Sequence, residues 1–75
     1  MRYTMESYCR GDTELLRVWH EKPTEKEKFA VIHELADKLG VEVFYIRIWV
    51  DEEGVEWNDF GSWTTFVLYK ELEDE

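Results

Sequence analysis

Hydrophobic side chains are most concentrated in residues 41–50, Val-Glu-Val-Phe-Tyr-Ile-Arg-Ile-Trp-Val. This stretch is rich in β-branched and aromatic residues and is bounded by Gly40 and Gly54, so it predicts a strand rather than a helix. Its even positions from Phe44 to Val50 are uniformly apolar, whereas its odd positions combine aromatic side chains with Arg47. We therefore predict that residues 41–50 form the central strand, with these even positions in the core.

Residues 24–39 have a helical period instead. Thr24 and Glu27 form a capping-box signature at the start, and Gly40 is placed to take the left-handed conformation that ends helices. The apolar side chains recur at helical spacing and make one stripe: Phe29, Ile32, Leu35, Ala36 and Leu39. The pattern predicts one amphipathic helix over residues 24–39.

The remaining segments predict strands joined by turns. Residues 2–9 alternate as an opening strand, and residues 10–13 supply turn chemistry. Residues 14–20 are ambiguous between a strand and a short helix capped by Asp12; their similarity to the pattern of residues 46–49 favours a strand. After an acidic turn at 51–54, a short strand is predicted at 55–58 and a last strand at 62–71.

The predicted order is strand, strand, helix, strand, strand, strand. This order indicates an α+β fold with a small, mainly antiparallel sheet of about five strands and one helix packed on one face. We expect a single domain over residues 1–75, with an acidic tail at 71–75 that frays. Strand order stays open, because the second strand could lie beside the first alone or cross over to the central strand.

This arrangement divides the side chains between two faces. The core face is expected to contain Tyr3, Met5, Leu16, Val18, Phe44, Ile46, Ile48, Val50, Val55, Trp57, Phe66 and Leu68. The uncovered face is expected to show Tyr8, Arg17, Trp19, Tyr45, Arg47, Trp49, Trp63, Val67 and Tyr69. So many aromatic residues exceed the ~300–600 Å² patch that a monomer usually exposes. A second copy, another protein or the acidic tail would cover them, unless a twisted sheet packs them against one another.

Charge changes the picture of what could bind. The net charge is −9, and residues 41–75 hold ten acids but only Arg47 and Lys70. This imbalance disfavours binding to nucleic acid or an anionic membrane and favours a basic protein surface. Exposed aromatics with arginines also occur on RNA-binding sheets, but the acidity argues against that class here. Acidity that serves only solubility is the plain alternative.

Candidate chemistry is sparse. Cys9, His20 and His33 lack the paired spacing of zinc ligands, and a Cys9–His20 nucleophilic pair is disfavoured because Cys9 falls on the apolar side of its strand. The acids at 51–59 lack the alternation of a calcium loop. We predict no catalytic, cofactor or metal site and therefore no enzyme. The one cysteine excludes an internal disulfide, and no apolar span or leader is evident, so a cytoplasmic location is expected.

Two functional hypotheses follow. The first is a small acidic protein-binding module, by analogy with phage-type inhibitors that mimic nucleic acid and occupy a basic nucleic-acid-binding surface of their target. The second is a homodimeric structural or adaptor subunit that pairs its aromatic sheet faces or its sheet edges. The predicted partner-binding residues are Asp51, Glu52, Glu53, Glu56, Asp59, Arg47, Trp49, Trp63, Tyr69 and Trp19.

Overall fold

The computed structural model describes residues 1–73 as one open, antiparallel five-stranded sheet with a single helix. The elements are β1 (Arg2–Cys9), β2 (Asp12–Trp19), α1 (Glu25–Leu39), β3 (Arg47–Val50), β4 (Glu56–Asp59) and β5 (Thr65–Leu72). Across the sheet the strands run β2-β1-β5-β4-β3. The predicted α+β fold with this order of elements is confirmed.

Strands β1 and β2 form a hairpin, which resolves residues 14–20 as strand. The two loop residues, Arg10 and Gly11, both have positive φ, at 52° and 91°, as the tightest hairpin turns require. β2 lies at an edge of the sheet beside β1 alone. Met5 pairs with Arg17 and Glu6 with Leu15, so Leu16 is an extra residue that forms a β-bulge.

The helix begins and ends where the sequence predicts. The Glu27 amide donates to Thr24 Oγ1 and the Thr24 amide donates to Glu27 Oε1, both at 3.2 Å. These are the two reciprocal bonds of a capping box. Gly40 takes the left-handed conformation at the other end, with φ of 70°.

The central strand is β5, so the prediction that residues 41–50 are central is wrong. β5 pairs with β1 over eight residues and with β4 on its other side. The core lies between the helix and the sheet, and its residues come from β1, β5, α1 and the position after β4. They are Met5, Val67, Tyr69, Val31, Ile32, Ala36 and Phe60. The extensive pairing of β5 on both sides makes it the centre of the molecule.

The two faces of β5 are exchanged relative to the prediction. Val67 and Tyr69 face the helix, whereas Phe66 and Leu68 lie on the opposite, open face with their neighbour Trp57. Val18, opposite Thr4 on β1, also lies on that open face, whereas Trp19 packs against the core. Both faces of β5 carry apolar residues, so alternation alone does not identify the buried one.

Residues 41–46 are not a strand, and β3 lies at the other edge of the sheet. Val41, Val43 and Ile46 pack partly against the core. Phe44, predicted as core, is instead 83% exposed, and Val50 is 62% exposed. The physical reason is width, because a helix about 10–12 Å across covers only two to three strands spaced about 4.8 Å apart.

The predicted acidic tail starts inside the sheet. Glu71 and Leu72 belong to β5 and pair with Tyr3 and Arg2 of β1. Residues 74 and 75 of that predicted tail lie outside the described residues. Within residues 1–73, no helix has the length and apolar character needed to cross a membrane.

Candidate protein-interaction surface

The open face of the sheet carries an aromatic cluster made of Tyr8, Trp49, Trp57 and Phe66. The two tryptophan rings stack with centroids 6.2 Å apart, and Phe66 packs edge-on against both. Tyr8 meets Trp57 in a T-shaped contact at 5.3 Å. These side chains therefore cover much of one another, which leaves less of the open face for a partner than the sequence suggests.

Asp51 acts as a structural anchor of the β3–β4 hairpin. Trp57 Nε1 donates to its Oδ2 at 2.8 Å, while the amides of Glu53 and Val55 donate to its Oδ1 at 2.9 and 3.0 Å. The pKa of the Asp51 carboxyl is lowered, chiefly by the hydrogen bond that it accepts from the Trp57 indole. Gly54, with φ of 84°, closes the turn. Asp51 thus holds the hairpin and positions Trp57 in the aromatic cluster.

Two more of the predicted acids serve contacts within the fold. Glu56 Oε2 accepts from Lys28 Nζ of the helix at 2.9 Å, and this lysine also lies over the Tyr69 ring at 4.1 Å. Asp59 accepts the Gly61 amide at 3.0 Å and lies 3.6 Å from the Arg47 guanidinium. Of the five acids predicted to bind a partner, the exposed pair at the hairpin tip, Glu52 and Glu53, have no described side-chain contact.

Trp19 and Tyr69 do not belong to an exposed surface. Trp19 packs against the core from β2. Tyr69 is buried, and its hydroxyl donates to Glu71 Oε2 at 3.0 Å. Burial, reinforced by that carboxylate, raises the pKa of the Tyr69 phenol. Both residues stabilise the fold, so the structure separates them from Trp49 and Trp63.

A different group of apolar side chains is exposed along one edge. We call Phe44, Tyr45, Ile48, Trp49, Val50 and Trp63 the edge surface. Trp63 is fully exposed and lines a shallow depression together with Tyr45, Asp59, Gly61 and Ser62. A second depression joins Phe44 and Tyr45 to Phe29 and His33 of the helix. Large apolar side chains gathered on one exposed rim are typical of protein-interaction sites.

The backbone of β3 is also available on this edge. The Asp51 amide donates to the Val55 carbonyl at 3.0 Å, and the register continues with Val50 opposite Glu56 and Trp49 opposite Trp57. Because bonded and non-bonded pairs alternate in antiparallel ladders, Trp49 and Arg47 bond to β4. The amide and carbonyl groups of Ile48 and Val50 therefore point away from the sheet, where no described strand pairs with them.

The sequence predicted three residues of this surface as exposed, Tyr45, Trp49 and Trp63. It placed the other three, Phe44, Ile48 and Val50, in the core. One signal could have found them. The helix stripe contains five apolar residues, too few to cover the twelve positions that were assigned to the core face. The sheet therefore has more predicted core positions than the helix can cover. This difference indicates that a strand within residues 41–50 lies beyond the reach of the helix.

Comparison of the chain with protein-family models, with curated proteins and with solved structures found no match. Within the described residues, no group of three or more His, Cys, Asp or Glu side chains is arranged to hold a metal ion.

Proposed function

We propose that this chain is a non-enzymatic protein-interaction module that binds an extended protein segment along β3 by β-strand addition. The observation that carries the proposal is the outer side of β3, with which no described strand pairs. All four residues of β3 are exposed, and three of its side chains are large and apolar. Unprotected apolar edges of this kind pair readily with another strand. In strand addition the backbone supplies affinity and alternate side chains supply specificity.

The backbone of Ile48 and Val50 would supply the hydrogen bonds to the added strand. The exposed parts of Phe44, Tyr45, Trp49 and Trp63 amount to roughly 400–700 Å² of side-chain surface. Burying it all would contribute on the order of 10 kcal/mol, close to the ~4–15 kcal/mol cost of association. We therefore expect modest affinity for a short segment, with the backbone hydrogen bonds deciding whether it binds.

Hydrogen exchange measured by NMR tests this proposal with a reference inside the same strand. The probe is a capped peptide of alternating valine and threonine with lysine at both ends. In the free monomer, the outward amides of Ile48 and Val50 should exchange much faster than those of Arg47 and Trp49. Added peptide should slow exchange at Ile48 and Val50.

The control peptide has an N-methyl group on every amide, so that neither of its edges can donate hydrogen bonds to β3. Protection by both peptides alike would contradict strand addition. Protection confined to β2 would also contradict it, as would equal exchange at all four β3 amides in the free monomer.

A second candidate is the acid-driven docking of this chain on a basic surface, in the manner of a nucleic-acid mimic. The exposed tip residues Glu52 and Glu53 support it, because they lie beside the edge surface and have no described partner. The internal contacts of Asp51, Glu56 and Asp59 weaken it, because these acids already have partners. The geometry thus favours a steering role for the tip, adjoining an apolar contact.

Charge reversal separates these two candidates. Changing Glu52 and Glu53 to lysine should slow association with a lysine-flanked peptide and weaken its salt dependence, while the bound state stays on β3. The matched control reverses Glu25 and Asp37, two exposed acids of the helix. If both pairs of substitutions slow association equally, the net charge of the chain determines the rate, and the position of the hairpin tip does not.

A further inference from the structure

We propose that the segment received by the β3 edge is β3 of a second copy of this chain, joined across a twofold axis at Ile48. This inference rests on the proposed strand addition and names its partner. It would make the sheet continuous over ten strands.

Symmetry restricts how two copies of one edge can meet. Antiparallel strands related by a twofold axis have that axis perpendicular to the sheet, so each face meets its own counterpart. Both helices then lie on one side, and both aromatic clusters on the other. Residues that face the helix, such as Ile48, can pair only with residues that face the helix in the second copy.

Backbone direction then points to a register centred on Ile48. Ile48 and Val50 present their amide and carbonyl groups outward. With Ile48 opposite Ile48 of the second copy, the two residues exchange both hydrogen bonds. Val50 falls opposite Ile46 of the second copy, one residue before the strand begins.

The side chains of this register are complementary on both faces. On the helix side, β-branched residues meet at every position, as Ile48 with Ile48 and Val50 with Ile46. On the open side, Arg47 of each copy lies opposite Trp49 of the other copy, and this arrangement suits a cation–π contact at both places. Each Arg47 remains next to Asp59 of its own chain.

The two neighbouring registers are less favourable. Moving the centre to residue 47 places Arg47 opposite Arg47, and like charges directly opposite destabilise a sheet. Moving it to residue 49 places Glu52 opposite Ile46 on the helix side, and Arg47 opposite Asp51, whose carboxylate already accepts three hydrogen bonds. Of the three registers, the one centred on Ile48 pairs apolar residues on the helix side throughout residues 46–50 and places no like charges opposite each other there.

The available area suits a dimer of modest strength. The exposed parts of Phe44, Tyr45 and Trp49 come to roughly 300–400 Å² per copy. Two copies, with Ile48, Val50 and the strand backbone added, approach the roughly 1,000 Å² that separates specific interfaces from casual contacts. An extended peptide would not supply a second set of these aromatic side chains.

Charge gives the dimer a distinctive response to salt. Residues 46–50 carry a single charge, Arg47, so the contact itself is nearly neutral, whereas each whole chain carries −9. Screening reduces the repulsion between two such chains. Added salt should therefore strengthen the dimer, although it would weaken a complex with a basic partner.

The test is sedimentation equilibrium of the full chain at low and high salt, with two matched variants. Ile48→Lys would place two lysines opposite each other at the twofold axis, and Leu15→Lys changes a similarly exposed leucine on β2. We expect a dimer that tightens with salt, a roughly hundredfold weaker dimer for Ile48→Lys, and little change for Leu15→Lys. Circular dichroism verifies that both variants fold.

Disulfide formation then tests the register, in a Cys9→Ser background. Ile48→Cys should cross-link the two copies, because Cα atoms in a hydrogen-bonded pair lie ~5.5 Å apart. Trp49→Cys should not, because in this register residue 49 lies opposite residue 47. Cross-linking through position 49 but not 48 would overturn the register.

The remaining outcomes separate the two proposals. A wild-type monomer at both salt concentrations would overturn pairing with a second copy, while slowed exchange at Ile48 and Val50 on adding the peptide would still support strand addition. A dimer that Leu15→Lys splits and Ile48→Lys leaves intact would overturn the pairing proposed here and move the interface to β2.

Discussion

Strands β5 and β3 are both rich in apolar side chains, yet one is the centre of the molecule and the other its exposed rim. Val67, Leu68 and Tyr69 of β5 are buried, whereas all four residues of β3 are exposed. The difference lies in their neighbours. β5 is paired on both sides and covered by the helix, whereas within residues 1–73 β3 is paired with β4 on one side only. β3 thus has the composition of a core strand but the position of an edge strand, and this is why we propose that a partner binds there.

The largest expected effect comes from shortening one aliphatic side chain in each strand. Leu68→Ala, at a position only 5% exposed, should lower the free energy of unfolding by about 2–5 kcal/mol. Ile48→Ala, at a position 43% exposed, should cost less than about 1 kcal/mol in the dilute monomer. Urea unfolding followed by tryptophan fluorescence measures both losses.

The protein concentration sharpens the same measurement. If β3 pairs with a second copy, the loss caused by Ile48→Ala should grow with concentration, because the dimer stabilises the folded state by mass action. The loss caused by Leu68→Ala should stay constant. Equal losses for the two variants in the dilute monomer would show that β3 supports the fold as β5 does.

A smaller effect is expected where the helix contacts β4, the strand between β5 and β3. Lys28 pairs with Glu56 while both side chains are largely buried, at 13% and 22% exposure, and it lies over the Tyr69 ring. Lys28→Ala would leave Glu56 unpaired and should cost about 1–2 kcal/mol. Its control is Lys26→Ala on the exposed side of the same helix, which should change stability by less than about 0.5 kcal/mol. If both variants lose similar amounts of stability, the contact between Lys28 and Glu56 does not stabilise the fold.

The smallest expected effect is local and depends on pH. The pKa of Asp51 is lower in the folded chain than its ordinary value of 3.8, so the fold prefers its carboxylate. The stabilisation of the hairpin is therefore complete above that ordinary value and is lost as the pH falls through the lower folded pKa. Acidification should speed exchange of the Trp57 indole proton and the β3 amides before it affects β5.

Asp51→Asn is the control for the acid effect, because asparagine keeps an acceptor oxygen but does not titrate. The variant should show no acid-dependent step at the Trp57 indole proton. An unchanged step in Asp51→Asn would assign the acid sensitivity of the hairpin to another carboxyl group.

Local signals in the sequence predicted much of this fold. Thr24, Glu27 and Gly40 fix the ends of the helix through contacts within a few residues, so the helix follows from sequence alone. Placement across the sheet depends on distant partners. Nothing near β5 in sequence shows that Val67 rather than Phe66 faces the helix, because both faces of this strand are apolar.

The candidate site was predictable only in part, for the same reason. Trp49 and Trp63 were identified as exposed from their strand positions and aromatic character. The role of Asp51 depends on an indole six residues away, and that of Glu56 on a lysine in the helix. The acids of residues 51–59 are therefore of two kinds. Asp51, Glu56 and Asp59 have partners within the fold, whereas Glu52 and Glu53 at the hairpin tip have no described side-chain contact.

The bulge at Leu16 has a consequence for how large an assembly can grow. A sheet in which both edge strands can pair with another copy could add copies without limit and would polymerise into a fibre. Here β2 contains an extra residue and carries charges at Asp12, Glu14 and Arg17. Bulges and charges of this kind oppose the addition of another strand at an edge. Growth through β3 would therefore stop at two chains, because pairing uses the bulge-free β3 edge of each copy.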